Sequence, residues 1–542
     1  MAQIQQNITK MGEKAINILW LIGLVLFTPI TGMFVNYDVF SWRSIVILST
    51  WTIILLTPYV ITGIRGLYMG AAVLIFIDGL VNLSHWLILK CAINASSIFV
   101  FLNTNWDEAI EFMTIKKEPI LFLLIPYVAI FITSLIKIPR LTLQKRSIYI
   151  WAFLWLFCIV FITENIANGR FVRLAIPDAE KAMISFVKES TEFRNLKTRD
   201  LFNVETNMNT TDSTLVVVII GESCNRNHMS LYGYERKTSP HLSSRDDIMV
   251  FDNVISANSN TLRSVMNFLT ENNMERARPI DSCLHIFDIL HSSPYKSYWI
   301  SNQSPIGLWD NGVTNLAKNA DVVTYVNLTA NSSMENTMIA SYDERIFKPF
   351  HTAIADTQKN KVVFLHLMGN HTNYAKRYPA SYAQFSSENR NSDKRTRVID
   401  SYDNSILYND FIVDSFLSIL NKYSSEHPSI KTSAIYFSDH GENVFDEGDW
   451  AGHDYSNKIP HSNVEIPFIL WFSPSNFLGN TYKDINKSTR LHTPYMIDDI
   501  FHTIIDLTYI RTPCFDSTRS IINPHFNVSR PRLLEDGYIY EN

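Results

Sequence analysis

The segment Leu215–Gly233, LVVVIIGESCNRNHMSLYG, decides the fold of the larger part of this chain. Its apolar run of mainly β-branched residues, Val216–Ile220, ends abruptly at a glycine, which is typical of a buried strand in a parallel sheet. The next residue, Glu222, then lies at the carboxyl end of that strand. The same pattern recurs at Ser433–His440, SAIYFSDH, which ends in an aspartate and a histidine. Two strands are therefore expected to deliver metal-binding side chains to one edge of a sheet.

These side chains form a predicted metal site. Glu222, Asp439 and His440 offer carboxylate oxygens and one imidazole, a donor set that suits zinc in a site with a position left open for substrate. Manganese accepts the same types of ligand, so ligand chemistry leaves the choice of metal open. Each residue taken alone is more often structural, but their joint occurrence at two strand ends favours a metal centre.

From Thr214 onward, strand-like and helix-like patterns alternate along the chain. The predicted strands are Leu215–Ile220, Ser297–Ser301, Val322–Val326, Val362–Met368, Ser433–Phe437 and Ile466–Phe472. The predicted helices are Thr261–Glu271, Ser401–Tyr423 and Tyr495–Leu507. This alternation predicts an α/β domain with a mainly parallel sheet over residues 213–542. In such sheets the active site forms beyond the carboxyl ends of the strands, where Glu222 and Asp439 are expected.

Residues 1–165 are dominated by long apolar runs and are predicted to form an α-helical membrane domain. Five runs approach the roughly 20 residues that a helix needs to cross a bilayer: Ile16–Val35, Ile45–Ile64, Leu67–Leu89, Ile120–Ile138 and Ile148–Thr163. Lysines and arginines lie in the N-terminal tail and in the turns after the second and fourth runs, which makes that side cytoplasmic. Five transmembrane helices then place the α/β domain outside, in the periplasm of a bacterium, and residues 166–212 form a connector with an amphipathic segment.

Thr261 is the candidate nucleophile of the α/β domain. It lies where the polar residues Ser259 and Asn260 lead into an apolar helical pattern, so a helix is expected to begin at or near it. Helix capping alone would explain a threonine here without any chemistry. However, a metal ion lowers the pKa of a hydroxyl bound to it, and a helix N-terminus favours the negative charge of a phosphoryl group. We therefore predict that Thr261 ligates the metal and accepts a phosphoryl group.

Histidines cluster near the same predicted strand ends. His371 follows one strand, and His453 and His461 follow the pair Asp439-His440. Ordinary surface histidines are the alternative interpretation for each of the three. Their crowding behind a metal pair favours catalytic roles, such as protonating a leaving oxygen, holding phosphate oxygens or binding a second metal ion.

Charge and cysteine usage limit the classes of protein. The chain has 542 residues and a formal net charge of −5 at pH 7, so bulk charge gives no support to a nucleic-acid-binding role. Of its 5 cysteines, Cys224, Cys283 and Cys514 belong to the α/β domain. Three cysteines exclude a dense disulfide framework and allow one bridge, for which Cys283 with Cys514 is the preferred pair.

Several motifs, taken in their order, resemble the phosphoethanolamine transferases of Gram-negative inner membranes, which belong to the alkaline phosphatase superfamily. The matching motifs are Gly221-Glu222-Ser223, Ser230–Tyr234 (SLYGY), Asn260-Thr261, Gly369-Asn370-His371, Asp439–Glu442 (DHGE) and Ile466-Pro467-Phe468. Each motif alone is weak evidence, whereas the combination is specific and extends over nearly the whole chain. Asn103–Phe112, NTNWDEAIEF, also resembles the family's periplasmic surface helix, which makes Asn105 and Glu108 candidate substrate-binding residues.

The resemblance implies an enzyme, a cofactor and a mechanism. The family's threonine nucleophile falls on Thr261, and its zinc ligands fall on Glu222, Asp439 and His440. Phosphatidylethanolamine would be the donor, diacylglycerol would be released, and a hydroxyl of lipopolysaccharide would take the phosphoethanolamine from Thr261. One zinc ion is implied, with the questions of a second ion and of manganese left open. His371, His453 and His461 match histidines near the family's substrate phosphate.

The acceptor is less narrowly indicated than the donor. Gly221–Tyr234 has the form GES-x-x-R-x-x-MSLYGY, which is similar to the branch of the family that modifies heptose in the lipopolysaccharide core. Members that modify lipid A usually carry several disulfides, which three cysteines cannot supply. Cys224 replaces a small hydroxyl residue expected in the heptose branch. Core heptose and lipid A both remain acceptors to be tested.

Two other functions also stay open. A phosphoglycerol transferase of the lipoteichoic-acid-synthase kind would share the spans, the threonine nucleophile and a similar metal site. A non-catalytic membrane scaffold would be expected to have lost at least one metal ligand, yet every expected position is filled. A sulfatase activity is disfavoured, because formylglycine forms within the motif C/S-x-P-S-R and the segment Cys514–Arg519 lacks the proline.

Overall fold

The structure is a computed structural model that describes most of the chain. The described residues are 2–35, 42–89, 93, 98, 124–141, 145–167, 176–194, 196, 198–201, 204–206, 213–303, 312–327, 341–386, 393–453, 458–476 and 490–541. The chain divides into two compact units near residue 189.

The first unit is helical. Its helices are α1 (Ala2–Val35), α2 (Trp42–Thr62), α3 (Arg65–Leu89), α4 (Leu124–Ile136), α5 (Lys145–Ala167) and α6 (Asp178–Arg194). By length and composition, three described segments can cross a membrane: Ile45–Thr62, Arg65–His85 and Ile148–Ala167. Two further apolar helical segments, Ala15–Thr31 and Leu124–Ile136, are shorter. The apolar helical character of this unit agrees with the sequence, and the count of five spans stays a prediction.

Helices α3 and α4 approach each other closely within this unit. A Cβ atom at Gly79 of α3 would lie 2.0 Å from the hydroxyl of Tyr127 on α4, so only glycine leaves room for that tyrosine. Small residues that allow close approach are typical of helix contacts in membranes. Large apolar side chains such as Leu74 and Phe153 face outward, exposed by 55% and 68%, which suits lipid rather than water.

The second unit is built on a sheet of 7 strands. In chain order these are β1 (Ser213–Gly221), β2 (Ile248–Phe251), β3 (Tyr295–Ser301), β4 (Val322–Tyr325), β5 (Asn360–His366), β6 (Ile430–Ser438) and β7 (Phe468–Phe472). Their order across the sheet is β2-β7-β6-β1-β5-β3-β4. Strand β7 pairs antiparallel with both of its neighbours, and every other pairing is parallel. The prediction of an α/β unit with a mainly parallel sheet is confirmed.

Helices cover both faces of this sheet. They are α7 (Pro240–Ser243), α8 (Thr261–Phe268), α9 (Ile286–His291), α10 (Gly312–Ala317), α11 (Phe347–Ile354), α12 (Lys394–Glu426) and α13 (Ile500–Leu507). Val217 and Ile219 of β1 belong to one core cluster with Ile406 and Phe416 of α12. Because side chains alternate along a strand, Val218 points to the opposite face, where it is also fully buried. Burial on both faces explains why β1 reads as an unbroken apolar run.

All six predicted strands are present. One strand was not predicted, and two predictions, a helix start and a disulfide, need correction. Strand β2 was missed because its four residues are too few to show a clear period. The predicted helix at Tyr495 begins only at Ile500, because Tyr495 and Met496 pair as a short parallel strand with Val254 and Ile255. The preferred disulfide is wrong, since Cys283 and Cys514 are both free thiols.

Candidate functional site

The site lies where β1 and β6 end side by side. Gly221 pairs with Ser438 in the register of these parallel strands, so the next residues, Glu222 and Asp439, emerge together. The amide of Asp439 donates a hydrogen bond of 3.1 Å to the carbonyl of Gly221, which continues the pairing past the strand ends. This register explains why two motifs that lie far apart in the sequence form one cluster.

Glu222, Asp439 and His440 form a compact group of potential metal ligands. Their ligand atoms all lie within 4.8 Å of one another, and the Nε2 atom of His440 lies 3.2 Å from Oε1 of Glu222 and 3.8 Å from Oδ2 of Asp439. All three residues are buried, with exposed fractions of 1% or less. The sequence-predicted ligands are therefore brought together.

Two details show that these residues fit a metal ion. Oδ2 of Asp439 is buried without a hydrogen-bond partner, and such an atom is costly unless a cation satisfies it. Nδ1 of His440 lies 2.7 Å from the carbonyl oxygen of Gly441, to which its proton can be donated. With Nδ1 held by that carbonyl, Nε2 is the nitrogen turned toward the carboxylates, and it is the one that would give up its proton to bind a metal ion.

The electrostatics of the group also favour a cation. Burial alone would raise the pKa of Glu222, but the hydrogen bond and charge of His440 hold it well below its ordinary value. Burial alone would lower the pKa of His440, but the neighbouring carboxylates raise it to about 10. Burial and the charge of Glu222 raise the pKa of Asp439 to about 7. Two carboxylates thus share one imidazolium, whose positive charge a divalent ion can replace.

Thr261 lies against this group, at the first residue of α8. The N-cap of this helix is Asn260, whose side chain accepts a hydrogen bond from the amide of Arg263. Thr261 is therefore not the capping residue. The Thr261 hydroxyl donates to Oε2 of Glu222 at 2.9 Å and lies 3.4 Å from Nε2 of His440. A hydroxyl at a helix N-terminus that is not used as the cap and lies beside three potential ligand side chains is suited to act as a nucleophile.

The helix that carries Thr261 is anchored to Asp439, one of the potential metal ligands. The hydroxyls of Ser256 and Ser264 donate to the backbone carbonyl of Asp439 at 2.7 Å and 2.5 Å. These two serines lie on either side of Thr261 in the chain, and their hydroxyls are 3.1 Å apart. We call this pair of contacts the inner anchor. It ties Thr261 to the same backbone that carries the ligand group.

His453 lies next to His440 and is oriented by Glu442. The two imidazole rings are 4.7 Å apart between centroids, and Nδ1 of His453 lies 2.9 Å from Oε2 of Glu442. Glu442 is fully buried and also accepts a hydrogen bond of 2.5 Å from the hydroxyl of Tyr374. His440, Glu442 and His453 form a second group of potential ligands in the described residues. Glu442 belongs to the motif Asp439–Glu442, and the sequence predicts no role for it.

The other two predicted histidines are placed less centrally. His371 follows a turn in which a Cβ atom at Gly369, whose φ is +50°, would lie 2.8 Å from the backbone of Glu222. This close approach brings His371 to the rim of the site, where it is exposed. His461 packs against Tyr540, with ring centroids 4.8 Å apart, and belongs to neither ligand group of the described residues. Asn105 and Glu108 lie outside the described residues.

Gln303 is a site residue that the sequence did not reveal, whereas His366 is one of the histidines that the sequence places at a strand end near the site. Nε2 of Gln303, just beyond β3, donates to Oε2 of Glu222 at 2.8 Å. His366 ends β5, where burial lowers its pKa to about 4 and leaves its Nε2 without a hydrogen bond. A glutamine in a loop carries no motif, so only the sheet order places Gln303 beside Glu222.

A buried ion cluster supports the loop that follows Glu442. His228 is 4% exposed, and its ring nitrogens lie 2.7 Å from Asp403 and 3.2 Å from Asp446. Burial alone would lower the pKa of His228, but its hydrogen bonds to both aspartates raise it to about 9. A positively charged His228 therefore ties this loop to α12.

His228→Gln is expected to destabilise the protein in a pH-dependent manner. Because the pKa of His228 is higher in the folded protein than in the unfolded chain, protonated His228 stabilises the folded state. This stabilisation is complete below the unfolded pKa near 6.5 and is lost as the pH rises through the folded pKa of about 9. The shift corresponds to about 3 kcal/mol. Thermal unfolding in detergent should show a large loss of stability at pH 6 and a small one at pH 10. His291→Gln, at an exposed histidine, is the control, and an equal loss at both pH values would contradict the role of the charge.

Known protein families and individual proteins are similar to this chain over most of its length. Residues 214–510 match the sulfatase family. Phosphoethanolamine transferase EptC of Escherichia coli (strain K12) is 26% identical over 501 residues, which cover 86% of this chain and 83% of that protein. Phosphoethanolamine transferase CptA of Salmonella typhimurium is 27% identical over 507 residues, with coverages of 86% and 83%.

Solved structures agree with the fold. The C-terminal periplasmic domain of EptC from Escherichia coli, in complex with zinc, matches with a TM-score of 0.56 and 27% identity over 63% of this chain and 94% of that domain. The integral membrane protein EptA from Neisseria meningitidis has a TM-score of 0.61 and covers 89% of this chain and 98% of its own. Its identity is 19%, so that likeness shows the fold alone. The chain belongs to the sulfatase family, in the alkaline phosphatase superfamily, and is a homologue of the phosphoethanolamine transferases.

Proposed function

We propose that this protein transfers phosphoethanolamine from phosphatidylethanolamine to a hydroxyl of lipopolysaccharide. The observation that carries the proposal is the Thr261 hydroxyl, which lies within hydrogen-bond distance of two members of a buried ligand group. Homologues named phosphoethanolamine transferase, over most of the chain, supply the group that is transferred. A lipid donor also fits the apolar helices, because helices that cross a membrane would keep the enzyme where its lipid donor is found.

Glu222, Asp439 and His440 would hold one zinc ion, with Thr261 as a further ligand. Zinc is the metal of the homologous EptC domain, and the donor set here suits it. When bound, the ion would lower the pKa of the Thr261 hydroxyl and stabilise negative charge on a phosphoryl oxygen. His440, Glu442 and His453 could hold a second ion of the same kind.

In the first step, Oγ1 of Thr261, whose proton is released to solvent, attacks the phosphorus of phosphatidylethanolamine. The bond from phosphorus to the diacylglycerol oxygen breaks, and His453, oriented by Glu442, is positioned to protonate that leaving oxygen. The amide groups of the first turn of α8 stabilise the phosphoryl oxygens. The product is phosphoethanolamine on Thr261 together with free diacylglycerol.

In the second step, an acceptor hydroxyl attacks the phosphorus and the bond to Oγ1 of Thr261 breaks. The acceptor proton passes to His453, which had protonated the first leaving group, and a proton from solvent restores the threonine hydroxyl. His371, exposed at the rim, and His461 are proposed to contact the donor or acceptor. We further propose that the catalytic unit faces the periplasm and that the acceptor is core heptose or lipid A.

Turnover of a labelled donor tests the proposal. The full-length protein, purified in detergent with zinc, is expected to release diacylglycerol from fluorescent phosphatidylethanolamine and not from phosphatidylglycerol. Release from phosphatidylglycerol alone would instead assign a phosphoglycerol transferase, and no release from either lipid would favour a non-catalytic scaffold. Mass spectrometry of lipopolysaccharide fragments from cells with and without the gene then decides between core heptose and lipid A.

A further inference from the structure

Glu535 is a buried carboxylate outside the metal site, and every group that contacts it belongs to the segment that carries Thr261. Its side chain is 4% exposed. Oε1 accepts hydrogen bonds of 3.1 Å from both the amide and the hydroxyl of Ser259. Oε2 accepts from Nδ2 of Asn258 at 3.0 Å and from Nη1 of Arg263 at 3.1 Å. Its own amide donates to the carbonyl of Ala257 at 3.0 Å.

These contacts form a second anchor for the nucleophile, which we call the outer anchor. The inner anchor joins Ser256 and Ser264 to the carbonyl of Asp439. The outer anchor joins residues 257–259 and Arg263 to Glu535. Between them, the loop before α8 and its first turn are held from both sides, and Thr261 lies in the middle. Nothing in the reaction uses Glu535 directly, because its carboxylate faces the loop and not the ligand group.

The segment that supplies Glu535 is itself firmly placed. Its chain reverses at Gly537, whose φ is +86°, with the amide of Leu534 donating to the carbonyl of Tyr538 at 2.9 Å. The guanidinium of Arg532 stacks over the ring of Tyr540 at 4.5 Å, and the Tyr540 hydroxyl donates to Glu465. Because this turn is held in place, the carboxylate of Glu535 restricts the position of the loop that it contacts.

We propose that Glu535 is a positioning residue for the nucleophile, which keeps Oγ1 of Thr261 within reach of Glu222 and His440. The inference rests on the proposed function, in which Thr261 is the nucleophile. A carboxylate is suited to this role because it accepts from four donors at once, including one charged donor, and buried charge-assisted hydrogen bonds hold their partners tightly. A displacement of about 1 Å at a reacting atom can reduce the rate by about 100-fold.

Glu535→Gln tests the inference with little change in shape. The amide nitrogen of glutamine would face the donors of Asn258 and Arg263, so half of the outer anchor is lost. We expect kcat for diacylglycerol release to fall by about 10- to 100-fold, with KM for phosphatidylethanolamine and zinc content unchanged. Glu541→Gln, which removes an exposed carboxylate from the same segment, is the matched control and should retain the rate of the original protein.

A second variant and a second measurement separate this inference from the proposed function. Arg263→Met removes one donor at a one-third exposed side chain, and a smaller loss of kcat is expected. Hydrogen exchange of the peptide 256–268 should be faster in Glu535→Gln and Arg263→Met than in Glu541→Gln, whether or not the donor is cleaved. Donor cleavage by the unaltered protein, combined with unchanged kcat and unchanged exchange in both variants, would overturn the inference. Absence of cleavage by the unaltered protein, with faster exchange in both variants, would refute the proposed function and retain the anchoring.

Discussion

Thr261→Ala is expected to lower diacylglycerol release by about 1,000-fold or more, because removal of a nucleophile eliminates the covalent step itself. The threonine hydroxyl donates to Glu222 at 2.9 Å and lies 3.4 Å from Nε2 of His440, and its loss leaves the capping residue Asn260 in place. The variant should therefore fold normally and keep most of its zinc. Steady-state assays with fluorescent phosphatidylethanolamine measure the loss, and thermal unfolding checks the fold.

Two companion variants sharpen this experiment. Thr261→Ser retains a hydroxyl at the same place and is expected to keep measurable activity and to form a covalent adduct detectable by mass spectrometry of the intact protein. Thr352→Ala removes an exposed threonine from α11 and should behave like the unaltered protein. If Thr261→Ala still turned over at a rate near that of the control, the nucleophile would have to be another group.

Removal of the metal is expected to have the second largest effect. Chelation should abolish donor cleavage, and added zinc should restore it. A ligand that binds only the folded state stabilises it by about 4 kcal/mol at 1,000 times its dissociation constant, so chelation should also lower Tm. Metal analysis and thermal unfolding provide readouts that do not depend on the reaction.

Glu222→Gln tests the ligand group directly. The amide cannot replace the anionic ligand, and it faces His440 and Gln303, which both lie against this carboxylate. We expect zinc content to fall strongly and the Tm increase on addition of zinc to disappear. Glu344→Gln, at an exposed carboxylate, is the control for the change in charge. Normal zinc content in Glu222→Gln would show that the ion is held elsewhere.

The ligand group could be predicted from the sequence because its side chains directly follow predicted strands. Glu222 and the pair Asp439-His440 each follow an apolar run, and the parallel register of β1 and β6 then makes their proximity unavoidable. Thr261 was predictable for a related reason, since a polar loop entering an apolar helical pattern marks a helix N-terminus. These signals are local, and each is readable from a short segment.

Residues that act through distant contacts left no such signal. Gln303 reaches Glu222 only because β3 and β1 flank β5, an order that no local pattern encodes. Glu535 lies in a polar turn that reads as an ordinary surface segment, and its burial depends on the loop before α8. Glu442 is part of the motif Asp439–Glu442, but the motif does not indicate its contacts. In the structure, Tyr374 lies within hydrogen-bond distance of one of its carboxylate oxygens and His453 within that distance of the other.

The pairing of β1 with β6 has a consequence for biogenesis. A chain that emerges from a translocon in order presents Glu222 and Thr261 long before Asp439 and His440 arrive. Until then β1, with β6 absent from one side, has an open edge, and the three-ligand group does not exist. The group proposed to hold the ion can therefore form only after residue 440 has been delivered and β6 has paired with β1, so the proposed reaction with a phospholipid has to wait for that pairing.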